Sequence, residues 1–276
     1  MIKYLLMMLM VAGLCWFLLL SEPPLSQVNR DELLRYAQDS ARFIAHAGGQ
    51  VDGHLYTNSL EALNTSYDLG FKKFELDIIL TADDHYVAAH DWQKWQRMTG
   101  YSGPLPPTKA VFMKQPILGQ YTPMDMAKIN AWFTDHPEAI LVTDKVRNAE
   151  AFIPQFVDPE RLMMELFDWR NVKWATQAGI KAVLPTGGLL KRFKGDLMAR
   201  LQSLDISAVS VSRNFSLVEQ TLIKQLKDAG IKIYAFHVNE KQGVGTSYMI
   251  CNERQHFYGM YADQWHKNWQ PRCDHE

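Results

Sequence analysis

Glu75 and Asp77 stand two apart in the apolar run "KFELDIIL", and His90 follows thirteen residues after Asp77, in "TADDHYVAAHDW". Side chains alternate along a strand, so Glu75 and Asp77 share a face. Two carboxylates on a buried face repel each other and lose their hydration. A divalent cation removes that cost, and an all-oxygen donor set suits Mg2+ or Ca2+. A pair that faces solvent needs no cation, and this stretch alone leaves both readings open. Asp83-Asp84 reads as a turn, after which a return strand ends at His90-Asp91 beside the carboxylates. Upstream, "IAHAGG" ends a strand at His46, where Gly48 and Gly49 permit unusual backbone angles and a ligand's close approach. An imidazole titrates near neutrality and suits proton transfer. A lone histidine at either place reads as structural; two beside one carboxylate pair read as acid and base.

The elements that must position these groups alternate. Strand candidates are "RFIAHA", "KFELDIIL", "AILVTDK", "RLMMELF", "IKAVLPT", "ISAVSVS", "IKIYAFHV" and "FYGMYAD", with helical segments between most of them. "NSLEALNTSYDLG" predicts a helix that Asn58 and Glu61 open as a capping box and Gly70 ends. "LVEQTLIKQLKDAG" predicts another, ended by Gly230. Eight strands in βα alternation fit a (β/α)8 TIM barrel better than an open sheet. Residues 97–122 break the rhythm, and a loop of that length is expected above the barrel mouth.

The bulk composition narrows the partners. The chain has 276 residues, 47% of them hydrophobic, with a net charge of −1 and 29 Lys+Arg spread along it. No basic block points to nucleic acid. Residues 4–20 form an uncharged apolar run behind Lys3, without a small-residue cleavage site after it. We read residues 1–20 as an uncleaved transmembrane signal anchor, 21–41 as a linker and leading helix, and 42–276 as the barrel domain. Lys3 would hold the N-terminus in the cytoplasm, leaving the domain periplasmic or extracellular. Cys251 and Cys273 either pair there or stay free thiols.

These residues resemble the glycerophosphodiester phosphodiesterase family, within the phospholipase C-like TIM-barrel phosphodiesterases. The family pattern is His-Arg-Gly, Glu-Asn-Thr, Glu-x-Asp, Thr-x-Asp-Gly and His-Asp. This sequence reads His46-Ala47-Gly48, Thr57-Asn58-Ser59, Glu75-Leu76-Asp77, Thr81-Ala82-Asp83-Asp84 and His90-Asp91. "QRMTG", "LVTDK", "MMELFD", "YAFHVN" and "GMYAD" continue the likeness. The resemblance implies a divalent metal on Glu75 and Asp77, acid and base duty for His46 and His90, and Lys145 at the phosphate. Ala47 and Thr57 depart from the pattern. The third metal ligand, two residues before Lys145, falls on Thr143, which leaves Asp144, Glu165 or none. Asp144 has the wrong strand parity if Lys145 faces inward.

Trp92, just after His90, is expected either to line a lipid or sugar pocket or to pack the long loop, as is Trp95. Asp91 either orients His90 or caps a turn. Phe236 and Asn239 are expected to border the pocket, with His237 pointing outward. His54, His85, His136, His266 and His275 match no motif and read as surface residues. The function implied is metal-dependent hydrolysis of a glycerophosphodiester, lysophospholipid or related surface phosphodiester. The alternative is a membrane-anchored phospholigand-binding module whose catalysis is weakened, as Ala47, Thr57 and Thr143 would record.

Overall fold

The computed structural model describes residues 30–180, 182–236, 238 and 243–273. The expected anchor at residues 1–20, the linker up to residue 29, His237, Asn239 and His275 lie outside the described residues. Among the described residues, no helix is long and apolar enough to cross a membrane.

The strands are β1 (Phe43–Ala45), β2 (Lys73–Leu80), β3 (Tyr86–Ala88), β4 (Ile140–Asp144), β5 (Leu162–Leu166), β6 (Ala182–Pro185), β7 (Ala208–Ser212), β8 (Lys232–Phe236) and β9 (Gly259–Ala262). All but β3 run parallel in chain order around one sheet. β9 returns to pair with β1, Ala45 opposite Ala262. A bridge between Thr186 and Ser210 brings the edges at β6 and β7 together. The result is an eight-stranded parallel barrel with helices between most of its strands. β3 folds back antiparallel on β2, with Ile78 opposite Ala88.

Strand alternation divides the core in two. Phe74, Leu76 and Ile78 of β2 pack outward into the large helix-covered cluster with Leu141, Met164, Val209 and Ile233. Ile44, Val142, Met163, Leu184, Ala208, Tyr234 and Tyr261 form a separate cluster inside the barrel. Register puts Glu75 beside Val142 and Asp77 beside Asp144, so the inward face of β2 carries Lys73, Glu75 and Asp77. All three are buried.

Two helices differ from expectation. The first runs over Leu60–Leu69, and Gly70 ends it in the left-handed region as predicted. Its N-cap is Ser59, which accepts from the Ala62 N–H, and not Asn58. The second is split at Glu219 into Arg213–Val218 and Gln220–Asp228. Val218, counted in its apolar stripe, is 65% exposed, so the periodicity there overstated the helix.

Residues 97–122 are more ordered than a loop, and Met98 and Ile117 reach the wall beside Tyr56 and His90 at the barrel mouth. Helix Trp92–Thr99 ends among them and helix Lys109–Phe112 follows. Phe112 joins Trp95, Val87 and Ala89 against the β2–β3 hairpin. Ile117 and Tyr121 pack on Val51 and Ala62. Cys251 and Cys273 form a disulfide, Cα–Cα 5.4 Å, tying the C-terminal segment to the turn Met249–Glu253.

Candidate active site

The C-terminal ends of the strands surround a cleft of ≈ 370 Å³, lined by His46, Glu75, Asp77, His90, Asp144, Lys145 and Glu165 among others. Each group arrives there for a local reason. β1 ends at Ala45, and the chain turns through Ala47 at φ 50° and Gly48 at φ 84°. This turn aims the Ala47 N–H at Glu75 Oε2, 2.6 Å away. The glycines were expected to admit a ligand, but what comes close is the helix behind them. A Cβ on Gly49 would stand 2.0 Å from Ser66 Oγ. Ser66 donates from that position to Gly48 O at 2.7 Å.

Glu75, Asp77 and Asp144 bring one carboxylate oxygen each within 4.8 Å of one another. Glu75 Oε1 is buried without a hydrogen-bond partner. Burial, joined by the charges of Asp77 and Asp144, holds the Glu75 carboxyl well above the usual carboxylate range. An orphaned buried oxygen in an all-oxygen acidic cluster fits a hard divalent cation. Asp77 is held by Asn58, which donates to Asp77 Oδ2 at 2.9 Å and accepts from the Asp77 N–H at 3.0 Å. Such outer partners fix the orientation of a ligand carboxylate.

Asp144 corrects the parity expectation. Thr143 lies between Leu76 and Met164 in register and points outward with them, fully buried. Asp144 follows Val142 inward. Lys145 leaves the strand at φ 67° and also turns to the mouth, so the two neighbours face one place. Lys145 Nζ stands 2.6 Å from Asp144 Oδ2 and 3.6 Å from Asp77 Oδ1. Burial alone would lower the lysine, but Asp144 and Asp77 outweigh it and keep its ammonium above the ordinary value. Glu165 is engaged elsewhere: it accepts from Ser210 Oγ at 2.8 Å. Burial foremost, then the Asp144 charge, pushes its carboxyl up to about 8.

Both histidines are tied through Nδ1 to a carboxylate. His46 Nδ1 is 3.0 Å from Asp263 Oδ1. His90 Nδ1 is 2.6 Å from Asp91 Oδ2. Asp91 both orients His90 and caps helix Trp92–Thr99, with Oδ1 accepting from the Lys94 N–H. Partial burial works against the Asp91 charge, yet the bonds from Lys94 and His90 keep its carboxyl below the ordinary aspartate value. Tyr56, at φ 61°, sets its ring edge-on between the two imidazoles, 4.7 Å from His46 and 5.7 Å from His90. Burial first, then Asp263, Asp77 and Glu75, pushes its hydroxyl up to about 12, so the phenol stays neutral.

The sequence alone assigned no site role to Asp263 or Tyr56, and it read Asn58 as a helix cap and not as the partner of Asp77. The signal for Asp263 was the strand "GMYAD": its pairing with β1 sets residue 263 beside residue 46, which requires knowing the sheet order. Trp92 does not line the cleft. Its ring packs edge-on against Trp95 at 5.7 Å and Phe112 at 6.1 Å. Phe236 does line it, together with Phe167 and Phe215. His54 is exposed, as expected, at the edge of a neighbouring cleft.

The site is thus an acidic cluster with two carboxylate-tethered histidines at the C-terminal mouth of a (β/α)8 barrel. Glycerophosphodiester phosphodiesterases of known structure share this fold. One from Parabacteroides distasonis matches with a TM-score of 0.61 at 16% identity, over 80% of this chain and 92% of that one. A phosphodiesterase from Oleispira antarctica, determined in complex with the product sn-glycerol-3-phosphate, matches at 0.61 and 17% identity, over 80% and 92%. A glycerophosphodiester phosphodiesterase from Thermotoga maritima matches at 0.57 and 16%, over 80% and 93%. At these identities the likeness is one of fold. No protein-family model matches the chain. Nor does any curated protein match it in sequence.

Proposed function

We propose that the chain is a phosphoric diester hydrolase that works with a divalent cation, Mg2+ or Ca2+, held by Glu75, Asp77 and Asp144. The observation that carries this reading is the pair of histidines, each fixed through Nδ1 by its own carboxylate, on a cleft that also holds the acidic cluster. The solved neighbours, phosphodiesterases by name, support it. With Nδ1 committed, each ring has Nε2 left for the substrate.

The cation, when bound, would neutralise a non-bridging phosphoryl oxygen and acidify the attacking hydroxyl. His46 takes the proton of that hydroxyl at Nε2 as the new P–O bond forms, whether the hydroxyl is water's or the substrate's own, in which case water then opens the cyclic phosphate. His90 gives a proton from Nε2 to the leaving oxygen as the old P–O bond breaks. Asp263 and Asp91 hold the two rings in the tautomer these roles need and favour their charged forms in turn. Lys145 adds positive charge at the phosphate, steadied by Asp144 and Asp77. Tyr56 keeps the rings apart and offers a neutral hydroxyl. The aromatic side of the cleft, Phe167, Phe215 and Phe236, suits an apolar or ring-bearing leaving group, so glycerophosphodiesters and lysophospholipids are the substrate classes to test.

The same reading places the domain outside the cytoplasmic membrane behind an anchor at residues 1–20. The disulfide supports an oxidising compartment. Turnover of glycerophosphocholine, glycerophosphoinositol, a lysophospholipid and a chromogenic diester by the wild type, His46→Ala and His90→Ala tests the catalytic assignment. Hydrolysis of at least one, reduced by about 10²-fold or more in both variants, is expected. Undiminished turnover in either variant sinks the paired-histidine mechanism.

A further inference from the structure

Beside the catalytic cleft lies a second one, of ≈ 430 Å³, lined by His54, Tyr56, Lys94, Arg97 and Asp263 among others. Tyr56 is a wall of both clefts, so they meet at the ring that separates His46 from His90. Lys94 Nζ sits 3.3 Å from the Tyr56 ring centroid. Among the described residues neither Lys94 nor Arg97 forms an ion pair. The acid in the lining, Asp263, is buried and already committed to His46. The second cleft therefore carries two cations without a carboxylate of their own.

Lys94 differs from Lys145 in this respect, whose charge Asp144 and Asp77 take up at close range. Asp77 and Asp91 reach Lys94 only as more distant charges. Its half-burial pushes the ammonium below the ordinary lysine value. The π face of Tyr56 compensates one side of that desolvated cation. An anion in the cleft would compensate the rest, and Arg97 offers the fork that matches a phosphate or carboxylate.

We propose that this second cleft binds an anionic group, a phosphate or a carboxylate, that the substrate carries beyond its scissile phosphodiester, and that Lys94 and Arg97 recognise it. The proposal rests on the phosphodiesterase reading for its substrate but not for its anion. It assigns the enzyme a preference for diesters with a second negative charge and makes Lys94 and Arg97 specificity residues.

Two measurements on the full chain test it. Glycerophosphoserine and glycerophosphoethanolamine differ by one carboxylate. The ratio of their kcat/KM values should fall about tenfold or more in Lys94→Met and in Arg97→Met. Calorimetric titrations of inorganic phosphate and of malonate then separate the two anion chemistries. The one bound more tightly by the wild type should bind about tenfold more weakly to both variants, with melting temperatures retained. Should Lys94→Met fail to fold, Arg97→Met, at an exposed position, carries the test alone. A wild type without turnover whose anion affinity still falls in the variants sinks the phosphodiesterase reading and keeps the subsite. Anion affinities that do not change, or an equal loss on both diesters, overturn the subsite.

Discussion

Replacing Lys73 tests the electrostatics of the barrel interior with a worked number. Lys73 lies on the inward face of β2, two residues before Glu75, and is 9% exposed. Its ammonium donates to Ala41 O at 2.7 Å and, among the described residues, has no carboxylate in contact. Burial first lowers its pKa, Asp39 offsets part of this, and Lys232 adds to it, bringing the group from 10.5 down to about 8. Between those two values the unfolded chain holds a proton that the folded chain has released, so stability rises with pH. The contribution is complete above the unfolded pKa and is lost as pH falls through about 8. Linkage makes the penalty about 3 kcal/mol near pH ~7 and about 1 kcal/mol near pH ~10. Lys73→Met removes the titration. Denaturant unfolding of both proteins at the two pH values cancels every group they share. The wild type should gain about 2–3 kcal/mol more than the variant between them. A difference constant to within about 0.5 kcal/mol would refute a buried, desolvated Lys73.

Three further predictions concern the site. Asn58→Ala removes the amide that holds Asp77 and leaves a buried N–H unpaired, so Ca2+ or Mg2+ affinity should drop about 10–100-fold and stability by about 2 kcal/mol; unchanged calorimetric affinity would deny Asn58 its holding role. Asp263→Asn keeps the shape but not the charge beside His46, so kcat should fall about 10²–10⁴-fold with KM little changed. A change in KM alone would place Asp263 in substrate binding instead. Gly49→Ala combines φ 93° with a Cβ 2.0 Å from Ser66 Oγ, and should cost about 3 kcal/mol in denaturant unfolding; a loss under about 1 kcal/mol would show that the turn yields.

The barrel was legible because its signal is repeated. Eight apolar runs with helices between them allow few topologies, and period-two alternation already set Glu75 and Asp77 on one face. The site was legible wherever a residue stands at a strand end, as His46 and His90 do. It was not legible where the backbone leaves regular geometry. Lys145 at φ 67° breaks the parity that would have excluded Asp144, and Asn58 at φ 49° turns a capping residue into a partner of Asp77. Asparagine visits the left-handed region more often than most residues, but residue type does not fix it there, and nothing local marks a lysine for it. For Trp92 the sequence left two readings open, and helix Trp92–Thr99 selects the second by turning its ring toward Phe112 of the long connection.

On the proposed function, Glu75, Asp77 and Asp144 hold a divalent cation that the phosphodiester chemistry needs. The most direct test is turnover of the best diester by the wild type and by Glu75→Gln, in EDTA and after Mg2+ or Ca2+ is restored. EDTA should abolish wild-type turnover, one of the two ions should restore it, and Glu75→Gln should stay inactive at ion concentrations that saturate the wild type. Full activity in EDTA, or in Glu75→Gln, would contradict this reading.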